Sequence, residues 1–294
     1  MFSGSIPALP TPFTCDGIDE SALRDHVSWL IEEGSSGLVA CGTTGEATSL
    51  SEPEYQRVLK IVVSEAADRV PVVAGCGTPS TATTLRHMRI AQDAGAAAAM
   101  IAPPYYVRPD QNGIIAHYSE LARRCGLPIV IYNVPTRTGV DIAPDTMGLL
   151  VTMHPGSFAG LKDATGAIER VALQRDFCGE ELSQLSGNDE TSLGFMEAGG
   201  VGCISVTANV APGLCAKFHE LCRRHDYQGA AQINEALLPL HRALFLEASP
   251  APLKYAMQRI RVAYPSTLRL PMIEIGRKTK AAIDGALIAT RPEA

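Results

Sequence analysis

Residues 157–166 read SFAGLKDATG: a short apolar run from Phe158 to Leu161, then Lys162, then Asp163. An amine at the end of a strand-like segment is poised for one kind of chemistry. If its side chain points into the mouth of a barrel, lost hydration disfavours the ammonium. A neutral amine can attack a ketone carbon and form a Schiff base. The other reading is an ion pair between Lys162 and its neighbour Asp163. Of the other lysines, Lys60, Lys217 and Lys254 fall in helical patterns that suit solvated or pairing roles, and Lys278 and Lys280 lie near the tail.

Imine chemistry needs protons moved: off the amine, onto a departing water, and off the carbon that becomes an enamine. Tyr132 and Thr43 are neutral hydroxyls that donate and accept, so they can shuttle protons without a competing charge beside the amine. A tyrosine that only packs at a strand end is the alternative for Tyr132. The turn at Thr43, Thr44 and Gly45 exposes backbone N–H groups suited to a carboxylate or phosphate. Ordinary capping explains such residues equally well, and Ser51 with Glu54 three later reads as a capping box. Arg137, within PTRTG, has the planar fork that suits a carboxylate, or is a surface arginine. No His, Cys, Asp or Glu pair has metal-ligand spacing, and His219 and His225 are expected to be exposed.

Positioning these groups requires elements that end near one another. Strand-like runs fall at 6–9, 37–40, 70–74, 97–101, 128–132, 158–161, 182–185 and 202–206. Helical periods fall between them at 19–33, 52–67, 81–94, 114–124, 144–154, 168–177 and 190–198. Leu23, Val27, Leu30 and Ile31 form one such face, and Leu59, Val62 and Val63 another. Strand starts lie roughly 25–35 residues apart, near what ~250 residues over eight units requires. The spacing predicts an α/β (β/α)8 TIM barrel over 1–224 with a C-terminal helical extension over 225–294. A doubly wound dinucleotide fold is disfavoured, because no G-x-G-x-x-G follows the first strand. In a barrel the C-terminal strand ends form the active-site rim. Thr11, Thr43, Tyr105, Tyr106, Tyr132, Lys162, Ser186 and Ser205 all follow or end a strand run.

The 294 residues are 46% hydrophobic and 19% charged, with net charge −6, which leaves no basic footprint for nucleic acid. The start lacks a secretory pattern and no stretch reads as a membrane span. Eight scattered cysteines without C-x-x-C read as free, mostly buried thiols of a cytoplasmic protein.

Taken together, ALPTPF at 8–13, GTTGEAT at 42–48, PPYYVRP at 103–109, YNVPTRTG at 132–139, GLKDATG at 160–166, LSGND at 185–189 and GGVGCISVTANVAP at 199–212 carry a resemblance. So do LPLHRALFLEASPAPLKYA at 238–256 and LRLPM at 268–272. The chain resembles, nearly end to end, the pyruvate-dependent class I aldolases that include dihydrodipicolinate synthases and N-acetylneuraminate lyases. The resemblance implies an imine between Lys162 and pyruvate, with no separate cofactor. It implies a relay of Tyr132, Thr43 and Tyr106, the last reaching into a dimer partner's site. Thr44 and the backbone around Gly187 and Ile204 would cradle substrate, and Arg137 would hold the carboxylate of L-aspartate 4-semialdehyde. The assembly would be a homotetramer, a dimer of dimers, serving lysine and diaminopimelate synthesis. The alternative partner is a 2-keto sugar acid or hydroxy-oxoglutarate, and a silent keto-acid binder is a third possibility that the intact relay set argues against. Where lysine-inhibited relatives carry a feedback site, the matching positions here are Glu52, Tyr55, Pro79 and Thr83, with Tyr105 retained. Feedback by L-lysine is therefore expected to be weak or absent.

Overall fold

A computed structural model describes residues 2–290, and the last four residues of the expected C-terminal region lie outside them. Eight parallel strands form the barrel: β1 (Gly4–Pro7), β2 (Leu38–Ala40), β3 (Val72–Gly75), β4 (Ala98–Ile101), β5 (Ile129–Asn133), β6 (Phe158–Asp163), β7 (Ser183–Ser186) and β8 (Gly202–Ser205). Sequential strands are neighbours, β1 pairs with β8, and a single bridge from Ala8 to Val39 brings β1 to β2. A helix follows each strand: α1 (Glu20–Glu32), α2 (Glu52–Ala66), α3 (Thr81–Asp93), α4 (Gln111–Arg124), α5 (Pro144–Met153), α6 (Arg170–Cys178), α7 (Ser192–Glu197) and α8 (Pro212–Arg223). Beyond them lie α9 (Tyr227–Ala243), α10 (Ala251–Ile260) and α11 (Arg277–Ala289).

The alternation of a strand's side chains divides the core in two. Inside the barrel, Ile6, Val39, Val73, Met100, Val130, Tyr132, Leu185 and Ile204 pack together. Outside, Leu38, Ala74, Ile101, Ile131 and Leu161 meet the helices, including Leu23, Val27 and Leu30 of α1 and Leu59 and Val62 of α2. The expected helical faces are therefore the buried ones, with Ile31 and Val63 at their margins. A third cluster, with Leu240, Leu253, Met257 and Ile283, joins the C-terminal helices to Val206 and Ala22 of the barrel.

Three features differ from the sequence expectation. Strand β6 runs two residues past Leu161, so Lys162 and Asp163 lie within the ladder, paired in register with Tyr132 and Asn133. A bulge interrupts that same ladder: Phe158 faces Ile129 and Gly160 faces Val130, which leaves Ala159 as the extra residue. His219 is buried rather than exposed, at 5% accessibility, and burial lowers its pKa to about 4; His225 is exposed as expected. A hairpin pairing Phe13–Thr14 with Gly17–Ile18 seats the Phe13 ring beneath the C-terminal helices. Seven of the eight cysteines are buried, all are free, and Cys15 is the exposed one.

Candidate active site

Because adjacent residues of a strand face opposite ways, Lys162 and Asp163 go to different environments. The Asp163 carboxylate turns to the helix side. It accepts from Thr165 N (2.8 Å), Thr165 Oγ1 (2.6 Å), Arg170 Nε (2.9 Å) and Gln174 Nε2 (2.5 Å). Arg170 also bonds Asp141, whose other oxygen accepts from Asn133 Nδ2 at 2.6 Å. The ends of β5 and β6 are thus tied together behind the amine. Lys162 does not pair with Asp163. It points into the barrel at 6% exposure, with Nζ 4.2 Å from the centroid of the Tyr132 ring. Among the described residues no carboxylate pairs with it.

Tyr132 is shared between the lysine and a cleft of about 250 Å³ at the strand ends, where its ring lies beside Thr43, Met100, Tyr105, Val134 and Arg137. The arrangement brings together three sequence-nominated groups around one space: the Tyr132 phenol, the exposed Thr43 and the exposed Arg137. Arg137 sits on one turn of helix, Pro135–Thr138, rather than in an irregular loop. That turn ends at Gly139, whose φ of +74° is the left-handed geometry glycine adopts without strain. Burial raises the pKa of the neighbouring Tyr105, so its phenol enters the cleft as a neutral group.

Gly187 shows why position 187 has no side chain. A Cβ there would stand 2.9 Å from Lys162 Cε and 2.7 Å from Ala164 Cβ. Its N–H donates to Asp163 O at 2.6 Å, so the loop after β7 is pressed onto the lysine stem. Ile204, at 2% exposure, shares the inner core with Tyr132 and Leu185. Behind it Asp189 accepts from Ser205 Oγ (2.5 Å), Val206 N (3.0 Å) and Thr207 N (3.2 Å), joining the ends of β7 and β8. Thr44 is buried in the turn after β2. Tyr106 is not brought to this cleft: it is 92% exposed, at φ +70°.

Sequence reasoning passed over the residues that shape the β2 turn. Cys41 and Glu46, at φ +55° and +52°, bracket Thr43 and Thr44 in left-handed backbone that is costly for non-glycine residues. The Cys41 carbonyl fits only because residue 75 is glycine; a Cβ there would come within 2.2 Å of it. Glu46 is buried and meets Lys254 Nζ at 2.5 Å. The wrong-handed backbone gives no sequence signal when the residue is neither Gly nor Asn.

The chain matches the Dihydrodipicolinate synthetase family over residues 1–290. It is 52% identical over 287 residues to the 4-hydroxy-tetrahydrodipicolinate synthase of Rhizorhabdus wittichii, covering 98% of each chain. It is 48% identical over 291 residues to that of Zymomonas mobilis, covering 99% of each. Among solved structures, a chloride-inhibited dihydrodipicolinate synthase from Acinetobacter baumannii complexed with pyruvate superposes with a TM-score of 0.95 at 37% identity, covering 99% of both chains. The 4-hydroxy-tetrahydrodipicolinate synthase of Methylacidiphilum fumariolicum gives 0.96 at 33% identity, covering 99% of this chain and 96% of that one.

Proposed function

The chain belongs to the dihydrodipicolinate synthetase family, and from that premise we propose that it condenses pyruvate with L-aspartate 4-semialdehyde through an imine on Lys162. The product is 4-hydroxy-tetrahydrodipicolinate, on the route to diaminopimelate and lysine. The observation that carries the site assignment is the amine itself: buried in the barrel mouth, free of any described carboxylate, and laid over a tyrosine that lines the cleft.

The Lys162 amine attacks C2 of pyruvate, and its proton passes to the former carbonyl oxygen. Protonation of the resulting carbinolamine releases water and leaves an iminium. Loss of a C3 proton gives the enamine, whose carbon attacks the aldehyde carbon of the semialdehyde; the aldehyde oxygen takes up a proton as a hydroxyl. The substrate's own amino group then attacks the imine carbon, closing the ring and expelling the lysine. Each transfer needs a neutral hydroxyl that both gives and takes, which Tyr132 and Thr43 provide. Arg137, on the cleft wall, offers a bidentate fork to the semialdehyde carboxylate. Thr44 and the main chain near Gly187 and Ile204 hold pyruvate. No metal or separate cofactor enters these steps.

Tyr106 is the third relay member in this reading, delivered to a partner's cleft; its exposure and left-handed backbone support a side chain presented outward. The exposed Leu149, Met153, Leu173 and Phe177 on the neighbouring α5 and α6 offer a second contact face, in keeping with a tetramer of paired dimers in the cytoplasm. The name shared by the relatives favours aspartate semialdehyde over a 2-keto sugar acid or hydroxy-oxoglutarate. The test is borohydride reduction with pyruvate followed by peptide mass mapping. A pyruvyl adduct on the peptide bearing Lys162 supports the reading, and an adduct elsewhere, or none, refutes it.

A further inference from the structure

Outside the cleft, a cluster of buried and half-buried charged side chains lies where the C-terminal helices meet the turn after β2. Lys254, on α10, has no exposed surface. Its Nζ lies 2.5 Å from Glu46 Oε1, donates to Thr267 O at 2.7 Å and stands 4.3 Å from the centre of the Phe13 ring. The second carboxylate oxygen of Glu46 accepts from Arg269 N at 3.0 Å, and the Arg269 guanidinium, on the same Phe13 ring, bonds Glu54 and Ser49 O. One carboxylate is therefore held by two separate parts of the C-terminal region.

Glu46 is not an incidental anchor. Its left-handed backbone ends the run that begins at Cys41, and its N–H donates to Thr43 O at 3.1 Å. The next bonds tie the same turn: Gly45 N to Gly42 O, and Thr11 Oγ1 to Gly45 O at 2.7 Å. Strained backbone of this kind persists only where its surroundings over-determine it. A buried ion pair adds little net stability, because desolvating both charges offsets most of their attraction; what it enforces is one geometry. Docking of the C-terminal region is already provided by Tyr264 OH on Pro10 O, the Arg269–Glu54 bridge and the apolar cluster around Leu253 and Met257.

We propose that Lys254 is a positioning residue: by holding Glu46, it fixes the turn that presents Thr43 and Thr44 to the keto acid, without touching substrate. The inference rests on the imine reading above. Arg137 is held by a separate turn after β5, which the Lys254–Glu46 pair does not touch, so the proposal expects the semialdehyde contact to be the less affected of the two.

The experiment measures pyruvate and semialdehyde KM for K254M, E46Q and the double variant E46Q/K254M, with folding checked by circular dichroism and borohydride trapping of the parent protein as control. Pyruvate KM should rise about tenfold in the folded variants, while semialdehyde KM stays within about twofold. Equal changes in both constants, or an unchanged pyruvate KM, overturn the proposal. If K254M does not fold, the double variant, which buries no lone charge, carries the same test; if that also fails to fold, the pair serves folding and the proposal is wrong. Failure of the parent to trap pyruvate would instead strike the imine reading itself.

Discussion

Among the described residues two lysines are buried, and each lies over an aromatic ring. Lys162 stands 4.2 Å from the Tyr132 centroid and Lys254 stands 4.3 Å from that of Phe13. Their surroundings differ in one respect that decides what each can do. Lys254 is enclosed by a carboxylate, a carbonyl and a ring, so its nitrogen has no open direction. Lys162 has the Tyr132 ring, which itself lines the cleft, while the carboxylate next to it in sequence is turned to the far side of the sheet. Burial alone does not suit an amine to nucleophilic attack; the proposed role of Lys162 rests on its having no ionic partner among the described residues and on the cleft that its neighbour Tyr132 lines.

The largest test of that contrast is Lys162→Ala, which should lower turnover by more than about 10⁴-fold and abolish the borohydride-stable adduct, whereas K254M should still trap pyruvate on Lys162. Loss of adduct from both variants would erase the distinction.

A smaller effect concerns the partnered lysine. Burial, opposed by Glu46, lowers the Lys254 pKa from 10.5 to about 8. Between these values the unfolded chain holds a proton that the folded chain has released. The stability contributed by this group therefore rises with pH from about 8 to 10.5, and below about 8 the buried ammonium is a cost. The unfolding free energy of the parent relative to K254M should shift in the parent's favour by about 2–3 kcal/mol across that window. Urea titrations of both proteins at pH 7.5 and 10 read the shift directly, and a shift of opposite sign would contradict the assigned burial.

The smallest effect asks whether a third ammonium, that of free L-lysine, finds a carboxylate. Glu52 is engaged by Arg86 at 2.6 Å, and Tyr55 is stacked on His87 at 4.5 Å with its hydroxyl on Gly75 O. Pro79 and Thr83 carry no carboxylate of their own. Millimolar L-lysine should change the initial rate by less than about twofold; strong inhibition relieved by Tyr105→Phe would show that such a site exists.

The barrel was legible because each strand is a short run of small or β-branched residues cut off by Gly, Pro or a polar residue, and each helix carries an apolar face at three and four. The rim followed from that order, which is how Lys162, Tyr132, Thr43 and Arg137 could be nominated together. The end of β6 was not legible, since a lysine and an aspartate look like the close of an apolar run until opposite faces of the sheet accommodate them. His219 looked exposed as a polar helical residue, yet it shares a face with Cys215 and Cys222, both buried, and that spacing was the available signal. The Glu46 anchor had no local signature, because Arg269 lies 223 residues away along the chain.

The extra residue in β6 has a further consequence. Phe158 and Leu161 both face the helices although three positions separate them, an odd step that uninterrupted alternation cannot span.

 The bulge at Ala159 resets the phase of the strand, so the amine looks into the barrel and the acid looks out. A smoothed strand of the same sequence would exchange the two, leaving a carboxylate in the mouth and the amine among the helices. Which group the barrel mouth receives thus depends on a count of residues as much as on their kinds.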